Sequence, residues 1–139
     1  EINGIKFIDD SISTSPVPAM AAIDAFSQQK ICILGGSPKS ANYAEIAQKI
    51  AQSTSIKAIF TIGTTGPKIS QALLDSGFHG KLISSCENIS QVVEQAFALA
   101  EDGDVVLLSP GDASFDWFKN YKDRGEQFSE AVRQLSNKN

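Results

Sequence analysis

Three loops of this sequence concentrate side chains that could bind an anion. The first loop, residues 9–16, carries two carboxylates followed by hydroxyls, and the second loop, residues 35–40, places Lys39 after two glycines. The third loop, residues 109–114, combines two serines with a Pro-Gly step. Glycines let a backbone approach a ligand closely, and a helix N-terminus near cations suits a carboxylate or a phosphate. These residue types therefore predict anion binding, while the paired aspartates could face a cationic group, a metal or a hydroxyl.

Each of these features also has a plainer interpretation. The third loop could be an ordinary strand-to-helix turn, Lys39 a solvated surface lysine, and the aspartates charges that complement a helix dipole. A fourth loop, residues 63–68, looks suited to phosphate but lacks the Gly-x-x-x-x-Gly-Lys-Ser/Thr spacing of a P-loop, so we interpret it as a capped turn.

Composition limits the classes of protein to which the chain can belong. Its 139 residues suffice for one domain, and 12 Lys and Arg against 16 Asp and Glu give a net charge of −4, which argues against a general nucleic-acid binder. We find no apolar run near the roughly 20 residues that span a bilayer, no signal peptide and no metal-ligand spacing around Cys32 or Cys86. Because the chain opens without methionine, we expect a piece of a longer protein.

Apolar periodicity predicts that strands and helices alternate along the whole chain. The predicted strands are residues 5–9, 30–34, 58–62, 81–84 and 105–108, and the predicted helices are residues 16–26, 41–52, 67–75, 88–100 and 125–135, with residues 136–139 frayed. Such alternation requires right-handed crossovers, so the predicted fold class is α/β and Rossmann-like, a mostly parallel sheet with helices on both faces. Ligands of such sheets bind beyond the carboxyl ends of the strands, where the first three loops could share one crevice.

The loop motifs stand in the order and spacing of one known domain. They read Asp-Asp-Ser-Ile-Ser-Thr-Ser-Pro at 9–16, Leu-Gly-Gly-Ser-Pro-Lys-Ser at 34–40, Ser-Pro-Gly-Asp-Ala-Ser-Phe-Asp-Trp-Phe-Lys-Asn-Tyr at 109–121 and Arg-Gly-Glu-Gln-Phe at 124–128. Over essentially its whole length the chain resembles the C-terminal domain of the Mur ligases, ATP-dependent amide ligases of peptidoglycan synthesis. It is most similar to the members that add D-glutamate to UDP-N-acetylmuramoyl-L-alanine.

The resemblance implies a three-domain bacterial enzyme of the cytoplasm. An N-terminal domain would bind the UDP-sugar, a central ATPase domain would bind most of the ATP and Mg²⁺, and residues 1–139 would be the C-terminal domain that delivers the amino acid. The implied partners are UDP-N-acetylmuramoyl-L-alanine, glutamate, ATP and the other domains of the same chain, with no nucleic acid and no membrane. We expect no catalytic residue and no metal ligand in this domain, and no activity from it alone.

The resemblance also assigns binding residues by position. Lys39 would bind a carboxylate of the incoming glutamate, and Thr14 and Ser114 would hydrogen-bond the same amino acid. The backbone of Phe115 would lie beside them, and Tyr121 would form an apolar wall at a position where the D-glutamate enzymes commonly have Phe.

Two positions depart from the usual pattern of the D-glutamate ligases. Asp10 would lie by the nucleotide, but Ile12 stands where the usual pattern has Lys, so a cation near the nucleotide or phosphate is missing. Ser-Pro at 37–38 replaces the more usual Asp and small residue. The Asp-Ser-Ile-x-Thr variant resembles a subgroup that includes ligases adding L-glutamate, so both enantiomers stay open.

Proteins of other classes also stay open. The chain could be a free-standing nucleotide-binding module, although no Gly-x-Gly-x-x-Gly fingerprint follows a predicted strand. It could instead be a non-catalytic interaction domain, or part of a neighbouring ligase such as a folylpolyglutamate synthase, against which the Phe-Lys-Asn-Tyr motif at 118–121 argues.

Overall fold

The computed structural model describes residues 1–37, 42–112 and 117–138, and within them five strands alternate with five helices. The strands are β1 (Lys6–Asp9), β2 (Lys30–Gly35), β3 (Ile56–Ile62), β4 (Lys81–Ile83) and β5 (Val105–Leu108). The helices are α1 (Pro16–Asp24), α2 (Ala44–Gln52), α3 (Gly66–Asp75), α4 (Ile89–Leu99) and α5 (Tyr121–Lys138). The predicted alternation is confirmed, with most boundaries shifted by only a few residues. No helix in these ranges is long and apolar enough to cross a bilayer.

All neighbouring strands of the sheet are parallel, and their order is β1-β5-β2-β3-β4. The chain adds β2, β3 and β4 in one direction and then returns to insert β5 between β1 and β2. Helices α1, α2 and α3 pack on one face of the sheet, while α4 and α5 pack on the other. The predicted α/β class, with a parallel sheet covered on both faces, is therefore confirmed.

The central strands β2 and β5 are buried along their whole length, as expected for parallel strands covered on both faces. Alternate side chains enter two apolar layers. Phe60 and Phe128 belong to the layer under α4 and α5, and Cys32 and Leu73 belong to the layer under α1–α3. Burial raises the pKa of the Cys32 thiol to about 12, so this side chain is a packed apolar group at neutral pH.

Helix α5 is longer at both ends than the sequence predicts. It begins at Tyr121 rather than near Gly125, and it continues to Lys138, into the segment that was expected to fray. Two side-chain hydrogen bonds fix the start of the helix. The Asn120 side chain accepts a hydrogen bond from the Asp123 N–H (2.8 Å), and the Asp123 carboxylate accepts one from the Lys119 N–H (3.0 Å). This longer helix places Tyr121 beside the first loop.

We predict that Gly35→Ala destabilises the domain by at least about 3 kcal/mol, because a left-handed backbone strain adds to a steric clash. Gly35 ends β2 with φ +115°, and an added Cβ would overlap the Ile62 carbonyl oxygen. Gly77 also has a positive φ, +82°, but a Cβ there meets nothing within 4 Å, so Gly77→Ala should cost only about 1 kcal/mol. Urea unfolding of both variants measures the difference, and equal losses would contradict the clash.

Candidate functional site

The first three loops meet at the carboxyl edge of the sheet because β5 lies between β1 and β2. The connections after β1 and β2 lead to helices on one face, whereas the connection after β5 leads to α5 on the other. The gap between β1 and β5 and the gap between β5 and β2 are therefore both topological switch points. Open α/β sheets bind ligands at such points. The predicted adjacency of the three loops is confirmed.

Hydrogen bonds join these loops directly. The Gly35 N–H donates to the Pro110 carbonyl (2.9 Å), which ties the second loop to the third. The Gly111 N–H donates to the Ser13 carbonyl (2.9 Å), which ties the third loop to the first. The third loop is thus the common partner of the other two.

Arg124 of α5 is fully buried beneath the first and third loops. Its Nε donates to the Ser11 Oγ (2.9 Å), its Nη2 to the Ser11 carbonyl (2.7 Å) and its Nη1 to the Asp112 carbonyl (3.0 Å). Ser11 Oγ in turn donates to the Tyr121 carbonyl at the start of the helix (2.6 Å). The guanidinium therefore fixes α5 to both loops, a role that the sequence analysis missed although Arg124 stood inside a quoted motif.

Asp112 is the second fully buried charged residue at this edge. Its Oδ1 accepts a hydrogen bond from the Tyr43 hydroxyl (2.7 Å), and its Oδ2 accepts one from the Thr65 Oγ1 (2.7 Å). Burial, followed by the Asp112 carboxylate, raises the pKa of Tyr43, so its hydroxyl keeps the proton that it donates. The sequence analysis singled out neither Tyr43 nor Thr65, and single hydroxyls with no spacing pattern gave it no signal.

The fourth loop uses its backbone groups within the fold. The Thr65 N–H donates to the Gly36 carbonyl (3.0 Å), and the Gly66 N–H donates to the Gly63 carbonyl (3.1 Å). These two donors are satisfied at the start of α3, but Thr65, its N-cap residue, makes no side-chain capping hydrogen bond. Residues 63–68 therefore form a turn held by backbone hydrogen bonds and not the side-chain-capped turn that the sequence suggested.

Asp10 and Thr14, two of the predicted binding residues, lie half-buried in the first loop. One carboxylate oxygen of Asp10 accepts hydrogen bonds from the Ser13 Oγ and from the Ser109 Oγ (2.7 Å). This carboxylate therefore also joins the first loop to the third. Thr14 directly follows Ser13 at the same junction.

Three further predicted residues, Lys39, Ser114 and Phe115, lie outside the described residues, so their roles stay predictions. The described chain reaches Ser37 on one side of the second loop and Asp112 in the third, and both are buried. Among residues 1–37, 42–112 and 117–138, no group of three or more His, Cys, Asp or Glu side chains is placed to hold a metal ion.

Ile12 and Tyr121 line one cleft of about 480 Å³ beside the edge strand β1, between the first loop and α5. Ile12 is 68% exposed and Tyr121 38% exposed, so together they give the cleft an apolar lip. Lys122 and Arg133 supply cations to its lining, and Asp9 and Glu126 supply carboxylates. The cleft can therefore hold a ligand or a neighbouring segment with both apolar and charged groups.

The fold and these loops define a doubly wound α/β domain with a candidate binding edge around β5. A family model described as "Mur ligase, glutamate ligase domain" matches residues 1–111. The chain therefore belongs to the Mur ligase family, and the resemblance inferred from the loop motifs is confirmed.

Relatives with curated names are similar over almost the whole chain. It is 40% identical over 140 residues to UDP-N-acetylmuramoylalanine--D-glutamate ligase of Acetivibrio thermocellus, a match that covers 97% of the chain and 30% of that relative. It is 38% identical over 138 residues to the protein of the same name from Nitrosomonas europaea, covering 99% of the chain and 28% of the relative. The chain thus spans less than a third of the length of these relatives.

Two solved structures share the fold at low sequence identity. The MurF ligase from Thermotoga maritima in complex with ADP matches with a TM-score of 0.66 and 16% identity, over 100% of this chain and 30% of that one. A murein peptide ligase from Psychrobacter arcticus matches with a TM-score of 0.61 and 12% identity, over 94% of this chain and 28% of that one.

We predict that Arg124→Ala lowers the free energy of unfolding by on the order of 3 kcal/mol, because it leaves buried carbonyls of two loops without their donors. Arg133→Ala is the matched control, since that guanidinium is exposed and bonds only to Glu130 of the same helix in the described structure. Its midpoint of urea unfolding should stay nearly unchanged. Equal midpoints for the two variants would contradict the structural role of Arg124.

Proposed function

We propose that this chain is the amino-acid-delivering C-terminal domain of an ATP-dependent ligase that joins glutamate to UDP-N-acetylmuramoyl-L-alanine in the bacterial cytoplasm. The observation that carries the proposal is the convergence of three anion-suited loops around β5, in a chain whose named relatives are D-glutamate ligases. The full-length protein would also contain the domains for the UDP-sugar and for ATP.

The proposed reaction forms an amide from a carboxylate and the amine of glutamate. The carboxylate must first be activated, which the family achieves with an acyl phosphate made from ATP. In this proposal ATP and Mg²⁺ bind mainly to the central domain. The ADP bound in the Thermotoga MurF structure supports nucleotide binding by the full-length protein. The present domain would supply orientation, which can lower a barrier by roughly 7–11 kcal/mol in well-aligned reactions.

Glutamate brings two carboxylates and one amine to this domain. A lysine provides a compact charge for one carboxylate, and hydroxyls provide donors for the other. We assign these roles to Lys39, Ser114 and Thr14, with Tyr121 as an apolar wall beside the backbone of Phe115. Asp10 and Ile12 would face the nucleotide side of the same edge.

Addition of L-glutamate is the second candidate function. The exposed Ile12 supports it, since the usual D-glutamate pattern has a lysine there, whereas the names of the relatives support D-glutamate. Steady-state kinetics of the full-length enzyme with each enantiomer decides between them. If neither enantiomer is ligated, the proposed function is wrong.

In the full-length enzyme, we expect Lys39→Ala to reduce kcat/KM for glutamate by on the order of 2–3 kcal/mol, because it removes a charge-assisted hydrogen bond to a carboxylate. Lys68→Ala is a control of the same charge, because Lys68 is exposed at the start of α3, and it should leave glutamate kinetics unchanged. Unchanged glutamate kinetics for Lys39→Ala would instead identify Lys39 as an ordinary surface lysine.

Substitutions in the third loop and in α5 should separate glutamate binding from ATP binding. We expect Ser114→Ala to raise the KM for glutamate more than the KM for ATP, since it removes one donor to a glutamate carboxylate. Tyr121→Phe should be nearly neutral and Tyr121→Ala harmful, because the ring rather than the hydroxyl would form the wall. Wild-type glutamate KM in both Ser114→Ala and Tyr121→Ala would mean that these residues only pack.

A further inference from the structure

The carboxylate of Asp112 has two hydroxyl partners that lie on different parts of the fold. Asp112 is fully buried, and it directly precedes residues 113–116 of the third loop and the turn beyond it. Tyr43 bonds one oxygen and Thr65 bonds the other, each at 2.7 Å. A buried carboxylate is costly unless it is hydrogen-bonded, so these two contacts fix where the third loop can lie.

The first partner, Tyr43, lies just beyond the end of the second loop. It is the N-cap of α2 and follows residues 38–41 almost directly. Its ring is buried in the apolar layer under α1–α3, so the position of the ring does not depend on its hydroxyl. The hydroxyl therefore makes a specific connection from the end of the second loop to the third.

The second partner, Thr65, carries the connection to the beginning of the second loop. The Gly36 N–H donates to the Thr65 Oγ1 (2.9 Å), and the Thr65 N–H donates to the Gly36 carbonyl (3.0 Å). The Thr65 hydroxyl then donates to Asp112. One carboxylate of the third loop thus holds the second loop at both ends, before and after residues 38–41.

We propose that Asp112 is a positioning residue that sets the distance between the second and third loops, so that Lys39 and Ser114 bind the same glutamate together. This inference rests on the proposed function. Asp112 has no exposed surface with which to touch a substrate, so it acts through the loops that it joins. Two loops bind one small molecule tightly only if their separation is fixed before binding. A displacement of a binding group by about 1 Å can lower the rate roughly 100-fold.

The test removes each hydroxyl without changing the shape of the side chain. In the full-length enzyme, Tyr43→Phe and Thr65→Val should each raise the KM for glutamate about tenfold and leave the KM for ATP unchanged. Thr65→Ser, which keeps the hydroxyl, should restore the wild-type glutamate KM. A glutamate KM that stays at the wild-type value in both Tyr43→Phe and Thr65→Val would overturn the proposal.

A matched control separates positioning from general loss of stability. Thr61 is also buried near the carboxyl end of β3, and its Oγ1 bonds to the Ser70 Oγ (2.9 Å) rather than to Asp112. Thr61→Val should therefore lower the melting temperature about as much as Thr65→Val but leave the glutamate KM unchanged. An equal rise of the glutamate KM in both variants would also overturn the proposal.

A double-mutant cycle distinguishes failure of this inference from failure of the proposed function. If Asp112 acts by placing Lys39, Tyr43→Phe should add little to the glutamate KM of a Lys39→Ala enzyme, so the two effects are not additive. Full additivity would overturn the coupling between the loops. If Lys39→Ala alone leaves the glutamate KM unchanged, the role of Lys39 and the coupling built on it are wrong. The proposed function itself fails only if the wild-type enzyme ligates neither enantiomer of glutamate, whatever the Tyr43 variant does.

Discussion

Two buried charges, Arg124 and Asp112, set the geometry of the candidate binding edge. A charged group inside a protein is tolerated only when hydrogen bonds replace its lost hydration, so each must be surrounded by suitably placed partners. Arg124 takes partners from the first and third loops, and Asp112 takes them from Tyr43 and Thr65. Loops that would otherwise be independent are therefore fixed to one another through the third loop.

The order of the sheet makes this arrangement possible. The strand that carries the third loop is β5, and it enters the sheet last, between β1 and β2. At the carboxyl ends, Asp9 of β1 pairs with Leu108 of β5, so the edge assembles only when distant parts of the chain have come together. The candidate binding edge is consequently a property of the complete domain, and no single β-loop-α unit contains it.

Part of this structure follows from the sequence alone. The run Val105–Leu108 lies between a turn and a Ser-Pro-Gly loop, and it was predicted as a strand with the bounds that the structure has. Lateral strand order was not predictable in this way, because periodicity records which residues are buried and not which strands are neighbours. Arg124 and Asp112 escaped notice for a similar reason, since charged residues are mostly exposed and their burial depends on partners far along the chain.

The candidate site was predicted more from family resemblance than from residue chemistry. The motifs led to the correct family and to loops that do meet, and the glutamate contacts assigned to Lys39 and Ser114 stay predictions. The start of α5 was missed because an aromatic-rich segment hid the Asn-x-x-Asp capping signal at 120–123. That capping signal lies within four residues and could have been recognised from the sequence. The contacts of Arg124 and Asp112 could not, because most of their partners lie far along the chain.

The two charges that hold the loops are more deeply buried than the described residues assigned to the ligand, although Asp10 has both roles. Arg124 and Asp112 have no exposed surface, whereas Asp10 and Thr14 are half-buried and Ile12 is largely exposed. A change at Ile12 therefore alters the chemistry at the lip of the cleft without removing a contact on which the fold depends. Substitution of an exposed position usually changes stability by less than about 0.5 kcal/mol, so a scaffold of this kind can exchange lysine for isoleucine there and keep its loops in place.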